Sequence, residues 1–249
     1  MKKIITGLMV LFVLLVVGCG EKAKKETPKE TEIEKPKVEK LHAKYRASVF
    51  EDKDLKKFAS VLAKGEEVTL EEVIKNTVKQ KEVEVAKIKQ ADDSIVYILR
   101  RHLGGDPIVI TEDNVEVKIK PTDMSDTYVR IDKGTVGFIE DTKDEWVKIY
   151  VGKVKYNNQE NWLTGQWIKS GYSKDKDLVL DALKYEKAVE KLNENPEDEE
   201  AKNTIESLID KNNIISELAA EKHLKLNSES EVDLEEEIET EDESTEIEE

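Results

Sequence analysis

Hydrophobic and polar residues alternate along three short stretches in the middle of the chain. Residues 82–85, 115–120 and 147–151 each place an apolar side chain at every second position. A period of two is typical of half-buried strands in an antiparallel sheet, with one face on a core and the other in water. The sequence therefore predicts that the 130 residues after Lys40 are mainly β. Glycines that favour turns separate the stretches: Gly65, Gly104, Gly105, Gly134 and Gly152.

The period changes to three and four residues in the C-terminal part of the chain. Apolar side chains from Leu178 to Leu192 fall on one helical face at this spacing. The pair Asn195-Pro196 predicts a helix restart, with the asparagine as N-cap and the proline in the first turn. A second apolar stripe runs from Ile205 to Ala219, so segment 176–225 is predicted to be a helical hairpin. Residues 185–201 also resemble the second half of a tetratricopeptide repeat, although such arrays need about three repeats for stability.

The N-terminus has the pattern of an export signal. Lys2 and Lys3 precede the uncharged stretch 4–17, which is shorter than the roughly 20 residues that a membrane-spanning helix needs. It ends in Val16-Val17-Gly18-Cys19, which resembles the bacterial lipobox. This resemblance implies that residues 1–18 are a signal peptide and that the sulfur of Cys19, the only cysteine, receives a diacylglycerol. An ordinary membrane span and a cleaved secretory signal are the alternatives.

Charge is distributed unevenly along the chain. The formal net charge is −16, and residues 227–249 hold 13 acidic residues with no Lys or Arg. Self-repulsion predicts that the tail 226–249 is disordered. Residues 19–43 are predicted to form a disordered tether, because their Lys, Glu and Pro residues bury too little apolar surface to offset the entropy of ordering. Since no basic stripe lies between these segments, binding to nucleic acid is disfavoured.

Short motifs between residues 114 and 172 resemble those of a bacterial SH3-like domain, a small β-barrel common in exported envelope proteins. They are a strand and proline loop at 117–122, the turn Ile131-Asp132-Lys133-Gly134, the strand Trp146-Val147-Lys148-Ile149 and the closing Gly165-Gln166-Trp167-Ile168. The family usually has glycine directly before its last tryptophan, where this chain has Gln166, and the insertion 153–160 is longer than usual.

A second copy of this pattern precedes the first. Residues 44–103 resemble the same domain, with Ala63-Lys64-Gly65-Glu66-Glu67-Val68 at the strand–turn–strand element. The resemblance implies a mainly β fold with a C-terminal α segment. Two small SH3-like β-barrels, at 44–103 and 107–173, would be followed by the helical hairpin and flanked by disordered tails.

Candidate catalytic and metal-binding groups are sparse. His42, His102 and His223 fall in different segments, and none has a second ligand at helical or hairpin spacing. Cys19 is not available as a nucleophile when its sulfur carries lipid. No glycine-rich phosphate loop of the required spacing is present. We therefore expect a protein that is not an enzyme and that uses no metal or cofactor.

The aromatic residues of segment 107–173 are the candidate contact surface. Alternation along 146–151 places every second side chain on the face opposite the core, and exposed aromatic rings anchor peptides or sugars by burying large rigid areas. Trp162 follows two polar residues and is expected to be exposed, whereas Trp146 either joins this surface or closes the barrel. The candidate ligand-binding residues are Tyr128, Trp146, Lys148, Tyr150 and Trp162.

Together these features predict a lipoprotein of a bacterial cell envelope. The lipid on Cys19 would anchor it to the outer membrane or the cell membrane, facing the periplasm or the outside. The leading hypothesis is non-catalytic binding of peptidoglycan or an envelope protein through the SH3-like domain. One alternative is a structural or assembly role for the helical hairpin. Another is a surface-exposed lipoprotein, as in a spirochaete, that binds a host component.

Overall fold

The chain forms two β-units followed by a helical segment. The computed structural model describes residues 39–78 and 80–242, with side chains as far as Ser228. The fold is mainly β with a C-terminal α segment, as predicted. The strands are β1 (Glu39–Ala43), β2 (Ala47–Phe50), β3 (Phe58–Leu62), β4 (Glu67–Val78), β5 (Lys81–Lys89), β6 (Ile95–Leu99), β7 (Leu103–Gly104), β8 (Pro107–Ile110), β9 (Val115–Lys118), β10 (Thr127–Ile131), β11 (Val136–Lys143), β12 (Trp146–Tyr156), β13 (Gln159–Ile168) and β14 (Tyr172–Ser173). The helices are α1 (Lys176–Glu194), α2 (Glu199–Ile209) and α3 (Ile214–Asp242).

Each β-unit is a curled antiparallel sheet of seven strands. The first β-unit, residues 39–104, has the strand order β3-β2-β6-β5-β4-β1-β7. The second β-unit, residues 107–173, has the order β10-β9-β13-β12-β11-β8-β14. Adding seven to every strand number of the first order gives the second. The two units therefore have the same topology.

The first β-unit begins earlier than the sequence predicts. Strand β1 pairs with β4, from Glu39 opposite Leu70 to His42 opposite Glu67. The predicted tether 19–43 is therefore wrong over its last five residues, because alternate side chains of β1 enter the core. The predicted signal peptide, Cys19 and the rest of the tether lie outside the described residues.

The same turn joins the third and fourth strands of each unit. Gly65 and Gly134 have φ angles of +81° and +83°, which residues with a Cβ atom rarely adopt. The N–H of Gly65 donates to the carbonyl oxygen of Ala43 at 2.8 Å, and that of Gly134 donates to the carbonyl oxygen of Ile110 at 2.8 Å. The strand–turn–strand elements that the sequence likens to each other are therefore the same hydrogen-bonded turn.

The helical segment contains three helices, so the predicted hairpin at 176–225 is wrong. Residues 210–213 interrupt the second apolar stripe, and Asn212 has a φ of +52°. The side-chain oxygen of Asn213 accepts a hydrogen bond from the N–H of Ile215 at 2.9 Å, which caps α3. The sequence prediction missed this break because the apolar spacing continues across it.

The helix boundaries differ from the prediction at two more places. Asn195 ends α1, and the carboxylate of Asp198 caps α2 by accepting from the N–H of Ala201 at 2.8 Å. Helix α3 continues through residues 226–242, where the sequence predicted disorder. Glutamate is a good helix former, and the tail contains neither Gly nor Pro to end the helix. Residues 243–249 lie outside the described part of the chain.

The first β-unit meets helix α1 at its glycine turn. Gly65 packs so closely on Leu183 that a Cβ atom there would collide with the leucine methyl. The neighbouring Lys64 places its Nζ 2.5 Å from a carboxylate oxygen of Glu186. This turn therefore docks on α1 by close packing and one ion pair.

The second β-unit meets helix α3 at the equivalent turn. A Cβ atom on Gly134 would collide with Leu218, and the Nζ of Lys133 lies 3.0 Å from Glu217. The helices also share one apolar core with the second β-unit, which includes Phe138. Both β-units thus dock on the helical segment through the same Lys-Gly turn.

Candidate binding site

Trp146 is buried, which corrects its prediction as a ligand-binding residue. Its relative exposure is 6%, and the Nζ of Lys169 lies 5.7 Å from the centre of its ring. Lys169 is itself held by Asp123 at 3.1 Å and by Glu145 at 2.6 Å. Because Val147 is buried too, the start of β12 is covered on both faces, and alternation gives no exposed side here.

Tyr150 and Lys148 follow on the same strand, but Tyr150 faces the first β-unit. Its ring centre lies 6.0 Å from that of Tyr45, and the Nζ of Lys44 lies 4.3 Å from the Tyr150 ring centre. Burial raises the pKa of Tyr150 above its usual value. Lys148 is half-buried opposite Trp167 in the register of β12 and β13. These residues therefore do not form one aromatic face.

Trp162 and Tyr128 do come together at the surface. The Trp162 side chain is 56% exposed, and the Tyr128 hydroxyl donates to the backbone carbonyl oxygen of Trp162 at 3.3 Å. The Nζ of Lys153 lies 5.9 Å from the Trp162 ring centre and 3.0 Å from a carboxylate oxygen of Glu160. We call Tyr128, Lys153, Glu160 and Trp162 the Trp162 patch.

The long hairpin of β12 and β13 positions this patch. Asn157-Asn158 have φ angles of +50° and +60°, as a two-residue hairpin turn of type I′ requires. The turn is closed by Tyr156 opposite Gln159, and the ladder then brings Lys153 opposite Trp162. Because the ladder fixes the strand that carries the indole, little backbone freedom remains to be lost when a ligand covers the ring.

A part-buried ion pair joins the two β-units. Lys44 is 7% exposed, and its Nζ lies 2.8 Å from a carboxylate oxygen of Glu140. Gly104 leaves room for the Lys44 side chain, and the N–H of Gly105 donates to the carbonyl oxygen of Ile139 at 2.8 Å. Sequence reasoning treated these glycines only as turn residues, and a lysine among alternating polar residues gave no signal of burial.

Two half-buried histidines lie beside this junction. The pKa of His102 is lowered to about 4, first by burial and then by the positive charge of Arg101. Its Nδ1 has no hydrogen-bond partner among the described residues, and its ring centre lies 5.2 Å from that of Tyr45. Burial also lowers the pKa of His42, whose Nδ1–H donates to the carbonyl oxygen of Gly105 at 3.2 Å.

A cleft of about 840 Å³ opens next to the same junction. Side chains from both β-units line it, among them Arg101 from the first and Asp141 from the second. Its walls carry five basic and six acidic side chains, so no single sign of charge selects an ionic ligand. The Trp162 patch is the better defined of the two candidate sites.

Comparison with known proteins places the chain in a family. Among the described residues, no helix is both long and apolar enough to cross a membrane. The comparison with curated proteins gave no match. Residues 7–239 match the family described as Lipoprotein LenA. The chain therefore belongs to the Lipoprotein LenA family of bacterial lipoproteins, and it is an envelope-associated, lipid-anchored protein as the sequence predicted.

Proposed function

We propose that this lipoprotein is a non-catalytic recognition protein that binds peptidoglycan or another envelope protein through the Trp162 patch. The observation that carries the proposal is the exposed indole of Trp162, fixed on a β-ladder with Lys153 over its ring. Tryptophan and tyrosine dominate binding surfaces because they bury large areas at a small cost in side-chain entropy. Peptidoglycan offers sugar faces that stack on an indole and peptide carboxylates that pair with a lysine.

An SH3-like origin of the second β-unit is part of this proposal. It is supported by the glycine turn at Gly134 and by the closing Trp167, which the sequence likens to that family. The identical strand order of the two units supports a shared origin for both. The contact residues differ from the first expectation, because only Tyr128 and Trp162 of the predicted set share an exposed surface.

Non-catalytic action is supported by the causes of the large pKa shifts. The pKa of Glu116 is lowered to about 2 because Lys118 and Arg130 both donate hydrogen bonds to its carboxylate. The low pKa of His102 follows from its burial at the junction. Surface ion pairing and burial therefore account for these shifts without a reacting group.

Retention on purified sacculi tests the proposal. The protein would be the mature chain from residue 19 onward with Cys19→Ser, which removes the lipid and leaves the described fold intact. Trp162→Ala is expected to weaken retention by at least about tenfold, as the loss of a central aromatic contact does. Met124→Ala is the matched control, because Met124 is 97% exposed on the same β-unit. Equal retention of the Trp162→Ala and wild-type proteins would contradict binding through the Trp162 patch.

A role in assembly through the helical segment is the second candidate. Most of the apolar stripe is used inside the molecule, but Leu180 and Leu224 remain 53% and 69% exposed. If this role is correct, the pair Leu180→Ser and Leu224→Ser abolishes co-purification of an envelope partner, and Trp162→Ala leaves it unchanged. The reverse result supports the Trp162 patch.

Display at the cell surface, with a host component as ligand, is the remaining alternative. Protease treatment of intact cells separates it from a periplasmic location. Cleavage of the lipoprotein on intact cells supports surface display, whereas cleavage only after the outer envelope is opened supports binding inside the envelope.

A further inference from the structure

The first β-unit carries an exposed apolar surface that the second lacks. Phe58 of β3 pairs with Phe50 of β2, and Phe50 pairs with Tyr97 of β6, so three aromatic side chains form one row across adjacent strands. Val61 and Ile95 lie on the same face, on either side of this row. Phe58, Val61 and Ile95 are 57%, 38% and 40% exposed. We call these five residues the β3 patch.

The core lies on the opposite face of these strands. Val49, Leu62 and Ile98 alternate with the patch residues and are fully buried. The β3 patch is therefore additional apolar surface, beyond what the first β-unit needs for its own core. Contiguous exposed apolar patches on a soluble domain mark sites of contact with another surface.

The same positions in the second β-unit are mostly polar. The register places Thr127 at the position of Phe58, Lys118 at that of Phe50 and Trp167 at that of Tyr97. The edge strand β10 also carries Arg130, which is paired with Glu116 at 2.8 Å. Charged side chains on an edge strand prevent unwanted pairing. Strand β3 has no charged residue from Phe58 to Leu62, so this edge lacks that protection.

Lysines of β5 border the patch along its β6 side. Lys87 lies opposite Tyr97 and Lys89 lies opposite Ile95 in the register of β5 and β6. Their ammonium groups are paired with Glu71 at 2.9 Å and Asp93 at 2.6 Å, so the border is close to neutral. An apolar centre with a border of long lysine side chains is suited to the boundary between lipid headgroups and acyl chains.

The route of the chain indicates which surface the patch meets. Strand β1 begins 20 residues after Cys19, so the first β-unit can stand at most about 70 Å from the lipid on that sulfur. Tethering at this range gives an effective concentration that makes a weak contact significant. The bilayer is therefore the nearest large apolar phase available to this β-unit.

The charge of the two units agrees with this assignment. Residues 39–103 hold 14 Lys and Arg against 12 Asp and Glu, a net charge of +2. Residues 107–173 hold 9 against 11, a net charge of −2, and residues 174–249 hold 9 against 27, a net charge of −18. Anionic headgroups thus attract the first β-unit and repel the other two segments.

From these observations we propose that the β3 patch rests on the bilayer that holds the lipid anchor. The first β-unit then fixes the orientation of the molecule on the membrane, and recognition is left to the second. This inference does not depend on the ligand of the Trp162 patch.

The orientation can be measured with the full lipidated protein in vesicles of phosphatidylethanolamine and phosphatidylglycerol. Because Cys19 is the only native cysteine and carries the lipid, an added cysteine gives a single labelling site. Ser48→Cys places a fluorophore on the exposed face of β2 beside Val61, and Met124→Cys places it on the second β-unit. Apolar groups at such surfaces lie about 5–10 Å into the headgroup boundary, so headgroup nitroxides should quench the label at 48 several-fold more than the label at 124. Equal quenching at both positions would overturn the proposal.

Variants of the patch give an independent test. In the unlipidated Cys19→Ser protein, Phe58→Ser with Ile95→Ser should lower flotation with the same vesicles about tenfold, while Trp162→Ala should not change it. Both replaced side chains are exposed, so an unchanged melting temperature will show that the variant is folded. Unaltered flotation of the double variant contradicts the proposal. So does lipid-independent self-association that the double variant abolishes, because the patch would then belong to a dimer.

Discussion

The two β-units share one topology and differ in their surfaces. Both have the same strand order and the same glycine turn, with equivalent hydrogen bonds from Gly65 and Gly134. All three tryptophans lie in the second unit, whereas the exposed apolar row around Phe58 lies in the first. Turns and buried alternation therefore maintain the fold, while exposed positions have been free to take different roles.

One pair of equivalent positions shows how the two units differ at their junction. Both units have a β-bulge between their fourth and fifth strands, and each bulge holds a glutamate, Glu71 in the first and Glu140 in the second. Glu71 pairs with Lys87 of its own unit at 2.9 Å. Glu140 instead pairs with Lys44 of the other unit at 2.8 Å. The same structural position therefore serves the surface of one unit and the junction between the two.

The largest expected effect concerns Trp146. Its equivalent in the first unit is Val85, since each lies two residues before the lysine opposite Trp167 or Tyr97. Trp146→Ala should lower the free energy of unfolding by about 3–5 kcal/mol and Val85→Ala by about 2 kcal/mol, because both side chains are buried. Urea denaturation followed by circular dichroism measures both. A loss below about 1 kcal/mol for Trp146→Ala would contradict the burial of this side chain.

The two glycine turns should respond alike. Gly65→Ala and Gly134→Ala each force a Cβ atom into the left-handed region and against a leucine of α1 or α3. We expect each to cost about 1–3 kcal/mol in the free energy of unfolding. The same denaturation assay applies, with Gly20→Ala, in the segment before β1, as the control. If only one of the two turns is sensitive, their structural equivalence does not extend to energetics.

A smaller effect distinguishes the units by pH. His102 has a pKa of about 4 in the folded protein against an ordinary value of 6.5, so the unfolded chain binds the proton more readily. Stability should therefore fall as the pH drops from about 6.5 to about 4, by about 1–2 kcal/mol after allowance for partial solvent exposure. The N–H of Lys44 donates to the carbonyl oxygen of His102, and the N–H of Thr111, at the equivalent position of the second unit, donates to that of Gly171. Gly171 is therefore equivalent to His102, and the second unit has no imidazole there. Denaturation of the wild type and of His102→Gln at pH 7.5 and 4.5 measures this loss of stability with falling pH. The loss should be smaller in His102→Gln.

The smallest effects concern the ion pairs at the two turns. A double-mutant cycle on Lys64 and Glu186 should give a coupling of about 0.5 kcal/mol. The cycle on Lys133 and Glu217 should give less, because Glu217 is 63% exposed and Glu186 is 44% exposed. A larger coupling for the second pair would reverse this order.

Local patterns were sufficient to predict the fold class and the duplicated turn. Alternation identified the core strands, and Gly134 and Gly65 marked equivalent turns because few other residues accept a positive φ. Helix caps were harder to predict, since Asn195, Asp198 and Asn213 are all plausible caps in sequence and only packing decides among them.

The candidate site was predicted only in part. Trp162 and Tyr128 were identified by residue type and polar context, and they do meet. Trp146 and Tyr150 were misplaced because alternation shows which face of a strand is apolar but not what covers the other face. Lys169 covers Trp146, and the first β-unit covers Tyr150. The β3 patch was missed because Phe50, Phe58 and Tyr97 are far apart in sequence and meet only through strand pairing.

Hydrogen–deuterium exchange on the lipidated protein in vesicles tests the division between the two β-units most directly. Compared with the unlipidated Cys19→Ser protein in solution, we expect slower exchange in β2, β3 and β6 of the first unit and unchanged exchange in the β12–β13 hairpin that carries Trp162. Slower exchange in that hairpin, or no change in the first unit, would contradict the account that two units of one topology present different surfaces to different partners.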